Sequence, residues 1–190
     1  MNPIVFLTEE QSTIEMLKGF LPKILGPEQV ACCVYISFEG KQDLEKRLVR
    51  KIRGYQHPTA RFIVMRDQDA GDCKAVKRKL LDICKKSEKQ GRTWVRILCR
   101  ELESWYLADL TAVEQALEIP DLRTKQETSR YRSPDSMVNK PSKELERISN
   151  NKYQKIGGSR LIGPHLDPDN SRSKSFQVFV NTIRSLTVSP

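Results

Sequence analysis

Seven carboxylates stand at or just beyond the ends of short apolar runs, at positions that suit the handling of a hard cation. Glu9 and Glu10 follow the run 4–7, Asp67, Asp69 and Asp72 follow 61–66, and Glu101 and Glu103 follow 93–98. Gathered at one edge, such groups repel one another strongly unless a divalent cation or a basic partner neutralises them. In Asp67-Gln68-Asp69 an extended backbone would point both carboxylates the same way, giving a cation two oxygen ligands at short separation. Asp72, just ahead of an amphipathic stretch, suits a helix N-cap better than a ligand, and Glu10 suits solvent as well as a cation. Only two histidines, His57 and His165, are present, and the five cysteines include no C-x-x-C pair. Any metal is therefore expected to be a hard cation on carboxylates, and the cysteines small core residues in a reducing cytosol.

The elements that must carry these groups alternate apolar runs with amphipathic stretches, the pattern of β-α units and a mainly parallel sheet. Strands are expected at 4–7, 30–38, 61–66 and 93–98. Helices are expected at about 12–25, opened by the S-x-x-E box Ser12 to Glu15, then behind Gly40 with Leu44, Leu48, Val49 and Ile52 on one face, and from Cys73 to about Lys89. A second box, Thr111 to Glu114, announces another helix. Residues 120–141 are polar, basic and poor in aliphatics, which reads as a surface loop or mobile insertion. Short helices are expected near 142–149 and 159–166 and an amphipathic one over 174–186. The organisation that follows is an α/β core at 1–110, a four-stranded sheet flanked by helices, with a basic loop and helical extension at 111–190 packed on it. In such a sheet the functional groups collect where the carboxyl ends of the strands face one crevice.

The chain has 190 residues with Lys+Arg 33 against Asp+Glu 24, a formal charge of +9. Two thirds of that surplus lies in the last 70 residues. A field of this sign attracts polyanions, nucleic acid above all, and the stretch 123–132, with Arg123, Lys125, Arg130 and Arg132 around Tyr131, is either a phosphate contact or a solvated loop. Trp105 and Tyr106 lie in a helical apolar context and are expected in the core rather than stacked on bases. No apolar run reaches the roughly 18 residues of a membrane span, and the first residues lack a signal-peptide pattern, so a cytoplasmic protein without membrane contact is expected.

A glutamate after the first strand and Asp-x-Asp after a later strand of the same sheet resemble the Toprim domain of topoisomerases, DnaG-type primases and OLD-family nucleases. Residues 6–12 (FLTEEQS), 65–69 (MRDQD) and 99–109 (CRELESWYLAD) are more specifically similar to a family of small Toprim-like bacterial proteins. Its members are often encoded beside an AAA or ABC-type ATPase, like OLD nucleases split into two chains, in loci associated with anti-phage defence. The similarity covers about 4–110 well and 150–186 more weakly.

What the resemblance implies is cleavage or strand transfer of nucleic-acid phosphodiesters dependent on Mg²⁺ or Mn²⁺. Glu9 would be the Toprim glutamate, in acid/base or metal-binding work, and Asp67 and Asp69 would hold the cation. Glu101 and Glu103 occupy the place of a further acidic motif and a second metal, and Lys155 that of the late basic residue. Two departures stand out: Glu10 replaces a frequent glycine, and Thr13 stands where OLD-type nucleases often place a second acid. The string Phe38-Glu39-Gly40-Lys41-Gln42-Asp43 offers Glu39 as a competing Toprim glutamate, although Glu9 gives the expected order of β-α units before Asp-x-Asp.

Other chemistries fit less well. In haloacid dehalogenases Asp-x-Asp belongs near the first strand, and glycosyltransferases with that motif are usually larger. The sequence contains no P-loop and no legible Ser/His/Asp or Cys/His arrangement, and Gly157-Gly158 suits a helix end better than a phosphate cradle. A non-enzymatic subunit remains the rival reading, with the acidic crevice binding one cation for stability and the protein docking on a partner ATPase. Oligomeric state and the choice of DNA or RNA are not legible.

Overall fold

The computed structural model describes residues 2–187. Four strands, β1 (Ile4–Thr8), β2 (Cys33–Ser37), β3 (Arg61–Asp67) and β4 (Thr93–Leu98), form a sheet in the order β2-β1-β3-β4, every pair parallel. Their near-continuous apolar sequences suit strands buried on both faces. The chain leaves β1 toward β2 on one side and returns to β3 on the other, so the order reverses between β1 and β3. In open α/β sheets the crevice at such a reversal, beyond the carboxyl ends, is where ligands bind.

The helices are α1 (Gln11–Phe20), α2 (Pro27–Ala31), α3 (Lys41–Gly54), α4 (Cys73–Lys85), α5 (Glu103–Leu107), α6 (Leu110–Leu117), α7 (Ser129–Arg132), α8 (Pro134–Met137), α9 (Pro141–Ile148), α10 (Lys155–Ile162) and α11 (Lys174–Thr187). Period-2 alternation sorts the strand residues between two cores. Val5, Leu7, Phe62, Val64, Val95 and Ile97 meet Leu44, Leu48 and Ile52 of α3 and Leu80 and Cys84 of α4. Ile4, Phe6, Ile63 and Met65 meet α1 and α5 with the remainder of the chain. Trp105 anchors this larger core: its ring stacks on Phe179, lies edge-on to Phe176, and donates from Nε1 to Ser175 Oγ at 2.8 Å.

Several local expectations need correction. Residues 27–31 are helical, so β2 starts at Cys33 rather than at Val30. The first α-helix closes at Phe20 into a 3-10 turn, Leu21–Lys23, where Pro22 lacks the N–H to continue it. Neither S/T-x-x-E box forms. Glu10 is the N-cap residue of α1, and Asp109 caps α6 by accepting from the Ala112 N–H. Asp72 does cap α4, accepting from Ala75 N–H at 2.7 Å.

The largest correction is the segment 120–141, which is built on buried anchors rather than loose. Leu122, Gln126, Tyr131, Pro134 and Val138 are all buried, and Gln126 accepts from Leu110 N–H and donates to the carbonyls of Leu107 and Tyr131. Arg130 of this segment and Arg147 of α9 both clamp the buried Glu144, which also accepts from the Tyr131 hydroxyl. The hydrogen bond from Arg147 leads the effects that hold the Glu144 carboxyl at about 2. A pKa depressed in the fold contributes stability above the unfolded value near 4.3 and loses it as pH falls toward about 2. Glu144→Gln is therefore expected to cost about 2 kcal/mol at pH 7, with wild type and variant converging near pH 2 in denaturant titrations.

Candidate functional site

Glu9 is fixed by the sheet itself. Its N–H continues the β1–β3 ladder to Met65 O at 3.1 Å, and its carbonyl accepts from Gly40 N–H at 3.3 Å. This puts Glu9 at the reversal point, whereas Glu39 is exposed beyond the edge strand β2. Burial raises the Glu9 carboxyl, with Asp69 adding repulsion and Arg66 opposing it. Glu9 Oε2 and Arg66 Nε face each other at 3.7 Å, too long for a hydrogen bond, and neither atom has a hydrogen-bond partner among the described residues. Arg66 in turn donates to Glu45, which also takes Lys79.

Asp67 ends β3 opposite Leu98, buried, and its carboxyl is pushed well up by desolvation and then by Glu103, Glu10 and Glu9. Asp69 does not follow it inward. The backbone at Asp69 turns left-handed, φ 55°, so the extended geometry that would align the two carboxylates is absent. Asp69 is half-exposed and pairs with Lys41 at 3.0 Å. Arg100, φ 63°, is left-handed beside it and accepts the Asp69 N–H on its carbonyl at 2.8 Å.

Glu103 opens α5 in complete burial. It accepts from the Tyr153 hydroxyl at 2.8 Å through Oε1, while Oε2 has no hydrogen-bond partner among the described residues. Desolvation raises its pKa despite that bond and the nearby Lys155. Glu101 points elsewhere, accepting the Ser142 N–H at 2.7 Å at the start of α9. Asp69, Arg100 and Glu101 line a cleft of about 330 Å³ with Asn139 and Lys140.

Lys155, at the start of α10, reaches this group from across the molecule. Its ammonium pairs with Glu10 at 2.5 Å. Burial works against its charge, but Glu10, Glu103 and Asp67 together raise its pKa. Glu10, in the position of the frequent Toprim glycine, is thus the anchor for Lys155. The structure brings Glu9, Asp67, Glu103 and Lys155 together, places Asp69 on the neighbouring flank, and leaves Glu101 on the far wall of the cleft. Among the described residues, no three His, Cys, Asp or Glu side chains converge closely enough to hold a metal ion.

Residues read from the sequence in other roles, or not at all, hold this group in place. Glu15 binds Arg160 Nε at 2.8 Å and ties α1 to α10. Gly163 lies against the backbone of Met16 and Gly158 against the Tyr153 ring, so a side chain at either would collide. An alanine Cβ at 163 would sit 2.5 Å from Met16 O. Gly163→Ala is expected to cost about 1–3 kcal/mol in chemical denaturation by driving α10 off α1.

Solved structures share this architecture. The C-terminal region of the Burkholderia pseudomallei OLD protein superposes with a TM-score of 0.56 at 12% identity, covering 97% of this chain and 98% of that one. The C-terminal region of the Xanthomonas campestris pv. campestris OLD protein does so with a TM-score of 0.56 at 12% identity, over 98% and 96%. The fold is thus the Toprim-like α/β fold of the OLD C-terminal region. The chain itself belongs to the family described as Domain of unknown function (DUF4276), which matches residues 8–184. No curated protein matches it.

Proposed function

We propose that this protein is a metal-dependent nuclease, or the nuclease subunit of a larger assembly, with its centre at Glu9, Asp67, Glu103 and Lys155. The observation that carries the reading is a set of buried carboxylates at the reversal point of the sheet, all with raised pKa values and two with an oxygen that has no hydrogen-bond partner among the described residues. Buried charge of one sign without full compensation is costly, and its persistence in one crevice points to a cationic ligand. The donors are all hard oxygens, which fits Mg²⁺ or Mn²⁺. Glu9, Asp67 and Glu103 would have to close on the ion as it binds, since among the described residues no three such side chains converge on one point, with Asp69 and Glu101 flanking. Such an ion, when bound, supplies a lowered pKa for the attacking water and charge stabilisation for the leaving oxygen. Where Glu9 does not ligate the ion, its carboxyl at the reversal point would serve instead as the acid/base group. Lys155 neutralises the carboxylates and, as a compact ammonium, offers a partner to a phosphate oxygen.

The family resemblance supports a place beside an AAA or ABC-type ATPase in anti-phage defence, in the cytoplasm. These 190 residues carry no P-loop, and the nucleotide chemistry is assigned to the ATPase. Among the described residues no helix is long and apolar enough to cross a membrane.

A panel of single- and double-stranded DNA and RNA incubated with Mg²⁺, Mn²⁺ or EDTA tests the reading. Cleavage with either cation and none with EDTA is expected. A chain that binds Mn²⁺ and a partner ATPase yet cuts nothing, alone or in the complex, would assign the non-enzymatic role instead.

A further inference from the structure

The sequence places most of the charge surplus in the last 70 residues, but the structure spends it there internally. From Arg123 onward every Lys and Arg except Lys125, Lys140 and Lys174 holds an acidic side chain or a backbone carbonyl. The opposite layer differs. Helices α3 and α4 lie side by side on one face of the sheet, bridged by Lys79 to Glu45, and between them carry Lys46, Arg50, Lys51, Lys74, Lys77 and Arg78 with no hydrogen bond or ion pair among the described residues. Of these Lys46, Arg50, Lys74 and Arg78 are exposed, against three acids on the two helices, Asp43, Glu45 and Asp82, each already paired.

We infer that the α3/α4 layer is the surface that binds the phosphate backbone of a nucleic-acid duplex and leads it to the carboxylate crevice. Both helices run antiparallel to the strands, so their N-termini, at Lys41 and Asp72, stand at the crevice edge where Lys41 meets Asp69. Each helix is about 20 Å long, enough to follow several successive phosphates. An anionic membrane surface would also attract these cations, but it gives no reason for the track to end at the carboxylates. The inference rests on the nuclease reading for the duplex's fate and not for its binding.

The test is fluorescence anisotropy of a labelled 30-base-pair DNA duplex in EDTA, over a range of salt, so that cleavage plays no part. Lys46→Gln/Arg50→Gln/Lys74→Gln/Arg78→Gln is compared with a control of equal charge change, Lys125→Gln/Arg132→Gln/Lys143→Gln/Arg172→Gln. The layer variant is expected to bind at least about 10-fold more weakly at 100 mM salt. The slope of log K against log salt should shrink by about 2–4, since each duplex phosphate contact contributes about 0.9. The control should stay within about threefold of wild type. Equal losses in both variants, wild-type binding by the layer variant, or binding of wild type to anionic vesicles but not to the duplex would each overturn the inference. Salt-dependent duplex binding lost only in the layer variant, with no cleavage in Mg²⁺ or Mn²⁺, would uphold it while overturning the nuclease reading.

Discussion

Asp67→Asn is expected to lower metal-dependent cleavage by about 10²–10³-fold, equivalent to about 3–4 kcal/mol of barrier, without unfolding the protein. The Asp67 carboxyl is buried at the end of a central strand and crowded by Glu103, Glu10 and Glu9. In the absence of a cation that placement is a burden on the fold. The amide removes the charge and keeps the shape, so the melting temperature without metal should hold or rise by about 2–6 °C. Lost activity together with an unharmed or raised melting temperature is the mark of a residue kept for chemistry rather than for stability. A fall in both would mean that Asp67 is a structural carboxylate.

Lys155→Met is expected to act in the opposite sense on stability. The ammonium is paired with Glu10 and compensates Glu103 and Asp67, so its removal leaves those carboxylates facing one another. Because the side chain is half-exposed, the cost to the fold should be about 1–2 kcal/mol rather than the larger figure for a fully buried pair, and cleavage should fall by about 10²-fold. Lys155→Arg should restore the stability and only part of the activity, since a planar fork does not replace a compact point charge. Thermal melts and initial cleavage rates on the three proteins check this. Unchanged values in Lys155→Met would remove the ammonium from the charge balance of the crevice.

The strands were legible because a parallel sheet buried on both faces writes itself as short apolar runs, and Ile4–Thr8, Arg61–Asp67 and Thr93–Leu98 are such runs. Val30 and Ala31 misled because apolar residues of a one-turn helix are indistinguishable by pattern from the start of a strand. Helices of four residues, such as Ser129–Arg132 and Pro134–Met137, are too short to show a period of 3.6, and their buried anchors are too widely spaced to outweigh a polar composition. The N-cap of α6 was hidden by a two-residue ambiguity: Asp109 and Thr111 are both capping residue types, and only the backbone decides between them.

The carboxylates of the crevice were legible singly, from their places at strand ends. Their arrangement was not, because it depends on backbone angles and on pairs distant in sequence. A left-handed Asp69 separates it from Asp67, and no local signal announces that turn. Lys155 meets Glu10, Tyr153 meets Glu103, and Arg160 meets Glu15 only after α10 has packed on the first layer. Arg66 reads in sequence as a strand-end residue, yet it is the buried counter-charge beside Glu9.

The most direct test of the central claim compares wild type with Asp67→Ala/Asp69→Ala, at matched purity, for cleavage of the DNA and RNA panel in Mg²⁺ or Mn²⁺. Metal-dependent cutting by wild type that disappears in the double variant is the predicted result. Equal cutting by both proteins would contradict the claim and place the catalytic centre away from this crevice.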